Sequence, residues 1–160
     1  PLITKNDTIS LKIGANDADS ILLKINDDTV SRTANTSLTD TFVATGNEGR
    51  HWMVAMAKDT GTTVYDSLYY NIRGNVVIDS MPSGMRKGVN YTSDTSVTLV
   101  LQAPGKDFVY VLGDFNNWEL DNKYYMKKDP DGEHFWLNID SLNPGQPYIY
   151  QYFIDKLLTI

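Results

Sequence analysis

The sequence predicts an all-β chain built as two tandem β-sandwiches, and three observations carry this. Short runs that alternate apolar and polar residues recur along the chain, with Gly, Asn and Asp between them. No window shows the 3.6-residue periodicity of a convincing amphipathic helix. The texture changes once, around Gly74 to Val77, where Gly74, Pro82, Gly84 and Gly88 punctuate a stretch without a long periodic run.

The first half supplies five strand signals in order. "TISLKIG" places Ile9, Leu11 and Ile13 on one face and Ser10 and Lys12 on the other. "SILLKIN" follows and ends on the turn-forming pair Asp27-Asp28. "LTDTFVAT" alternates Leu38, Asp40, Phe42 and Ala44. "HWMVAMA" is a more continuous apolar run, as expected of a central strand, and its Trp52 is expected in the core. "TVYDSLYYNI" sets Val64 and Leu68 among tyrosines and polar residues.

The second half reads likewise, with "SVTLVLQAP", "FVYVLGDF", "YYMKKDP", "EHFWLNID" and "YIYQYFID" as strands. Turns are expected at "APGKD", "DPDGE" and "LNPGQP". The expected layout is two tandem immunoglobulin-like β-sandwich domains, 1–76 and 77–160. No fixed-period repeat or low-complexity tract is visible.

Composition narrows the function classes. The chain has 160 residues, 41% hydrophobic and 21% charged, which suits a globular fold rather than disorder. A net charge of −6 argues against a nucleic-acid or anionic-membrane partner, which would want a basic patch. Without cysteine there is no disulfide and no thiolate metal site. No run of eighteen apolar residues offers a membrane-spanning helix, and no signal peptide is present. The chain opens at Pro1 and closes on "FIDKLLTI" without a polar tail; both ends read as cuts, so a piece of a larger protein is expected.

One pair of segments is more specific. An apolar strand ending "AP" is followed by "VYVLGDFNNW" and then "MKK". "DGEHFWL" follows, and then "LNPGQPYIYQYFID". Over roughly residues 89 to 155 this order and spacing resembles the N-terminal β-sandwich modules of the α-amylase superfamily, the type found in isoamylases and glycogen-branching enzymes. The resemblance implies a catalytic (β/α)8 barrel after the module, and an α-glucan as the substrate of the whole protein. It implies a secreted, periplasmic or bacterial cell-surface location. Members of that family carry a Gly-containing turn after the "YFID" position; "KLLTI" lacks the Gly, so the hairpin there is expected to differ. Residues 1 to 76 carry no motif of that family and resemble an extra immunoglobulin-like module.

The stretch "LGDFNNWEL" has its own physics. Gly113 permits a turn that a Cβ would hinder. Asp114, Asn116 and Asn117 can cap that turn on nearby backbone N–H groups, and Phe115 is expected to pack inward. Trp118 has two readings. It is a lid on the edge of the core with its indole N–H on a backbone carbonyl, or a flat apolar face for a sugar ring. The lid is favoured. If sugar binds, the expected set is Trp118 with Asn117, Tyr124 and Lys127, one aromatic platform plus amide, hydroxyl and ammonium donors. Phe135 and Trp136 must face opposite sides of one strand, so one is core and the other lies on the outer face. In Tyr69-Tyr70 and Tyr124-Tyr125 one member of each pair is expected outside.

No catalytic site emerges. Glycoside hydrolysis needs two carboxylates flanking one bond, and the chain has only Glu48, Glu119 and Glu133. Its seventeen Asp gather mostly in turn sequences. No Walker loop, G-x-S-x-G or H-E-x-x-H occurs. His51 and His134 sit in separate strand patterns. "DPDGE" departs from calcium-loop spacing and reads as a plain turn, so no metal and no cofactor is expected. The triplets at Asn6, Asn35 and Asn90 match the glycosylation pattern, which is frequent by chance.

The expectation is therefore a non-catalytic N-terminal region of an α-amylase-family enzyme, touching an α-glucan or spacing the barrel. Two rivals stand beside it: a stand-alone α-glucan-binding surface protein, and a purely structural sandwich array. Fold alone does not choose among them.

Overall fold

The computed structural model describes residues 1–155. The departure from the family hairpin expected at "KLLTI" lies outside the described residues. The fold is all-β, as expected: thirteen strands and two short 3-10 turns, with no α-helix among the described residues. The chain divides into two compact units, one over Pro1–Gly74 and one starting at Asn75.

The first unit has seven strands: β1 (Leu2–Thr4), β2 (Thr8–Gly14), β3 (Ser20–Ile25), β4 (Asp28–Thr33), β5 (Ser37–Val43), β6 (Gly49–Lys58) and β7 (Thr63–Arg73). One sheet runs β1-β7-β6-β3-β4, and β2 pairs with β5 as a separate two-stranded layer. β1 lies parallel to β7; the other pairs are antiparallel. The core between the layers holds Ile9, Ile21, Leu23, Leu38, Met53, Tyr70 and Ile72, with Leu11, Ile13 and Phe42 packed against it. The alternation read in "TISLKIG" and "LTDTFVAT" is the one that closes this core.

β6 corrects one expectation. It is the central strand, but it is not buried on both faces: His51 and Met53 are buried while Trp52 between them is 45% exposed. His51 takes the inward place because its polar atoms are satisfied there. Its Nε2–H donates to the Asn47 carbonyl at 2.7 Å, and its Nδ1 accepts from the Asn26 amide at 2.6 Å. Its ring stacks on Tyr70 with centroids 5.1 Å apart. With His51 inside, the period of two sends Trp52 outside, against its cross-strand partner Tyr69.

The second unit contains β8 (Gly88–Ser93), β9 (Ser96–Gln102), β10 (Val109–Gly113), β11 (Lys127–Lys128), β12 (His134–Ile139) and β13 (Tyr150–Ile154). A sheet β11-β12-β9-β8 faces the pair β10-β13. Between them lie Leu99, Val109, Val111, Met126, Phe135, Leu137 and Ile139. "YYMKKDP" is mostly not strand: Asn122–Tyr124 is a 3-10 turn capped by the Asp121 carboxylate on the Lys123 N–H, Tyr125 makes one isolated bridge to Tyr110, and Lys127–Lys128 form a two-residue strand. Phe135 is the inward residue of its pair. Trp136 faces the other way yet is also buried, because the segment before β8 covers it. There its indole N–H donates to the Asp79 carbonyl at 2.9 Å, and the Lys127 ammonium lies 4.5 Å from its ring centroid.

Candidate functional site

The loop after β10 is built around two side chains that bridge backbone. Asn116 Oδ1 accepts the Gly113 N–H at 2.8 Å, and its amide donates to the Val111 and Glu119 carbonyls. Asp114 joins the loop to the residue preceding β13. Its Oδ2 accepts the Ile149 N–H at 2.8 Å, while its own N–H donates to the Ile149 carbonyl at 3.1 Å. These bonds satisfy backbone groups that a solvent loop would leave to water.

Gly113 is glycine for space rather than for a turn. Its backbone is fully extended, with φ −178° and ψ −172°, and it ends β10. A Cβ there would stand 2.6 Å from the Ile149 carbonyl oxygen and 2.9 Å from Tyr150 Cβ. The reversal falls four residues later, at Asn117 and Trp118, with φ of 52° and 61°. Asn tolerates this left-handed conformation, whereas a bulky Trp pays for it. Here the Trp118 N–H donates to the Gly113 carbonyl at 3.0 Å.

Trp118 itself is no lid. Its ring is 42% exposed, and its indole N–H donates to Asp114 Oδ1 at 3.0 Å, a carboxylate rather than the expected backbone carbonyl. The ring is thus fixed in orientation and open to solvent. The same carboxylate binds the backbone N–H of Ile149, whose side chain is 67% exposed. A flat, exposed indole held by its N–H, with the Asn117 amide next to it in the loop, can stack on the C–H face of a sugar.

The other residues of the sequence-derived set do not all join it. Asn117 is exposed and adjacent in the loop. Tyr124 is buried, with its ring 5.0 Å from Phe115 and its hydroxyl donating to the Phe115 carbonyl at 3.2 Å. It anchors the loop from below and offers no open platform. Lys127 is held elsewhere, by the Asp79 carboxylate at 2.7 Å and the Trp136 ring. The Lys127 bond keeps the Asp79 carboxyl below the usual carboxylate range. Phe115 packs against the core as half-buried rather than fully buried.

Two features were not read from the sequence. The local sequence assigns Asp114 only to backbone capping, because nothing in it shows that Ile149 comes within reach. A groove of about 390 Å³ opens between β8 and the 142–150 segment, lined by Tyr91, Val97, Leu142, Tyr148 and Tyr150 with Phe115 at its base. The exposed Val89 and Tyr91 line it from the edge strand β8.

"DPDGE" is a closed turn. Asp131 accepts the Glu133 and His134 N–H groups and the His134 ring nitrogen, which together lower its pKa. No group of three or more metal-binding side chains occurs among the described residues. No helix among them is long and apolar enough to cross a membrane.

No family model matches the chain. Over 63 residues, 39% of its length, the chain is 36% identical to the 1,4-alpha-glucan branching enzyme GlgB of Clostridium perfringens. It shows the same identity over the same length to GlgB 2 from another strain of that organism. The chain spans 8% of the length of these relatives. Among solved structures, a β-glucuronidase of Bacteroides uniformis aligns with 96% of this chain and 21% of its own, at 9% identity and a TM-score of 0.35. A pullulanase from Anoxybacillus sp. LM18-11 aligns with the same share of this chain and 23% of its own, at 13% identity and 0.35.

Proposed function

We propose that this chain is a non-catalytic, α-glucan-contacting region of a larger α-amylase-superfamily enzyme. The observation that carries it is the pose of Trp118: an exposed indole whose plane is fixed by Asp114, which is itself tied to the β13 segment. A structural tryptophan buries its ring; this one is immobilised without being buried, which preorganises an apolar surface for a ring-shaped ligand. The partial identity to 1,4-alpha-glucan branching enzymes supports an α-1,4-linked glucan as that ligand. Asn117 lies beside the ring as a donor and acceptor for sugar hydroxyls.

The larger protein would be secreted, periplasmic or on a bacterial cell surface, and would carry its catalytic barrel beyond this region. This chain is proposed to hold the glucan near that barrel. It needs no cofactor or metal for this.

A single open platform buries little of a sugar, so the affinity is weak, on the order of 0.1–1 mM. The test is a calorimetric titration of the wild type and Trp118→Ala with maltoheptaose. The heat of binding should be lost in the variant while its circular dichroism is retained. Equal binding by a folded Trp118→Ala variant would remove this site.

A further inference from the structure

We propose that the outward face of the five-stranded sheet in the first unit is a second binding surface, for a polysaccharide bearing carboxylate or sulfate groups. The register sets the face out in rows. Tyr65, Met56, Leu22 and Arg32 stand side by side across β7, β6, β3 and β4. Two residues along, Ser67, Val54 and Lys24 form the next row, and Tyr69 and Trp52 the one after. Successive rows are about 7 Å apart and successive strands about 4.8 Å, so the face is broad and open.

Its chemistry is unlike that of the rest of the chain. Trp52 is 45% exposed and Tyr65 is 65% exposed. Tyr69 is held on edge against Trp52, with the Arg50 guanidinium 4.2 Å from its ring centroid. Four cations take outward places on β3, β4 and β6, namely Lys24, Arg32, Arg50 and Lys58, and no acid takes one there. Lys24, Arg32 and Lys58 make no ion pair with a described residue. This occurs in a chain of net charge −6, so the bias is local to this face.

Aromatic faces between cations suit an anionic chain of rings. The acids Asp19, Asp27 and Asp59 lie in the connections at the two ends of this sheet, and Asp28 is the first residue of β4. An acidic glycan offers an apolar ring face to Trp52 and carries anionic groups on its rim, which Arg and Lys take. This surface is separate in residues from Trp118 and does not depend on the glucan proposal.

The test uses the whole chain, titrated with polygalacturonate and with heparin and followed by amide and indole NMR. Saturable shifts should centre on Trp52, Tyr65 and Lys24, and weaken as salt rises. Trp52→Ala, and separately the pair Lys24→Gln with Arg32→Gln, should each weaken binding by roughly fivefold to tenfold, the scale of one exposed stacking or charge contact. Trp118→Ala should leave it unchanged. The proposal is overturned if neither polymer binds, if both variants bind like wild type, or if a single-stranded oligodeoxynucleotide binds these residues more tightly.

Discussion

The indole N–H of Trp118 donates to Asp114 Oδ1 at 3.0 Å, and the other oxygen of that carboxylate accepts the Ile149 N–H at 2.8 Å. One side chain therefore sets the ring's orientation and ties the loop to the segment entering β13. Asp114→Ala should cost about 1 kcal/mol of stability, the scale of lost net hydrogen bonds at an exposed site. It should also let the ring turn. Fluorescence anisotropy decay of a chain keeping Trp118 as its sole tryptophan would show faster local motion in Asp114→Ala.

Gly113→Ala should be more disruptive than its small size suggests. The added methyl would meet the Ile149 carbonyl oxygen and Tyr150 Cβ inside van der Waals contact. Overpacking of this kind costs about 1–3 kcal/mol. A lowered urea midpoint is expected, and an unchanged midpoint would mean that the two strands separate freely here.

His51→Phe should keep the stack on Tyr70 but leave the Asn47 carbonyl and the Asn26 amide without their partner. The expected loss is about 0.5–1.5 kcal/mol, the net worth of ordinary hydrogen bonds, because Asn26 and Asn47 are exposed and can turn to water. Chemical denaturation followed by Trp52 fluorescence reads it directly.

Asp79 should titrate below an ordinary carboxylate because its side chain accepts from Lys127. With the folded pKa depressed, the linked stability is present above the unfolded value, about 3.9, and is lost as pH falls through the folded one. Carboxyl carbon NMR titration should show this midpoint moving up in Lys127→Gln. If the midpoint stays in place, the contact does not form in solution.

The chain alone should release no reducing sugar from starch, glycogen or pullulan, since no pair of carboxylates with a cleft between them can be assigned. Release that survives purification and vanishes on removing one carboxylate of this chain would contradict that.

Much of the fold was legible because period-two patterns report burial directly, as in Ile9, Leu11 and Ile13. β1 was not, since three residues hold too little pattern and its parallel pairing to β7 is non-local. Trp52 misled because a buried histidine and an exposed tryptophan invert the usual ranking of side chains. At the site, Trp118 and Asn117 were visible as loop residues. Tyr124 was misread because a 3-10 turn, not a strand, carries it into the core. Asp114 was undervalued because its partner Ile149 lies 35 residues away.

The most direct measurement is an indole NMR titration of the whole chain with maltoheptaose. The three tryptophans give three separate reporters, Trp52, Trp118 and Trp136. The Trp118 signal should move saturably with a Kd on the order of 0.1–1 mM, while the buried Trp136 and the first-unit Trp52 stay in place. A Trp118 signal that does not move at tens of millimolar sugar, or that moves no more than the other two, would contradict the account.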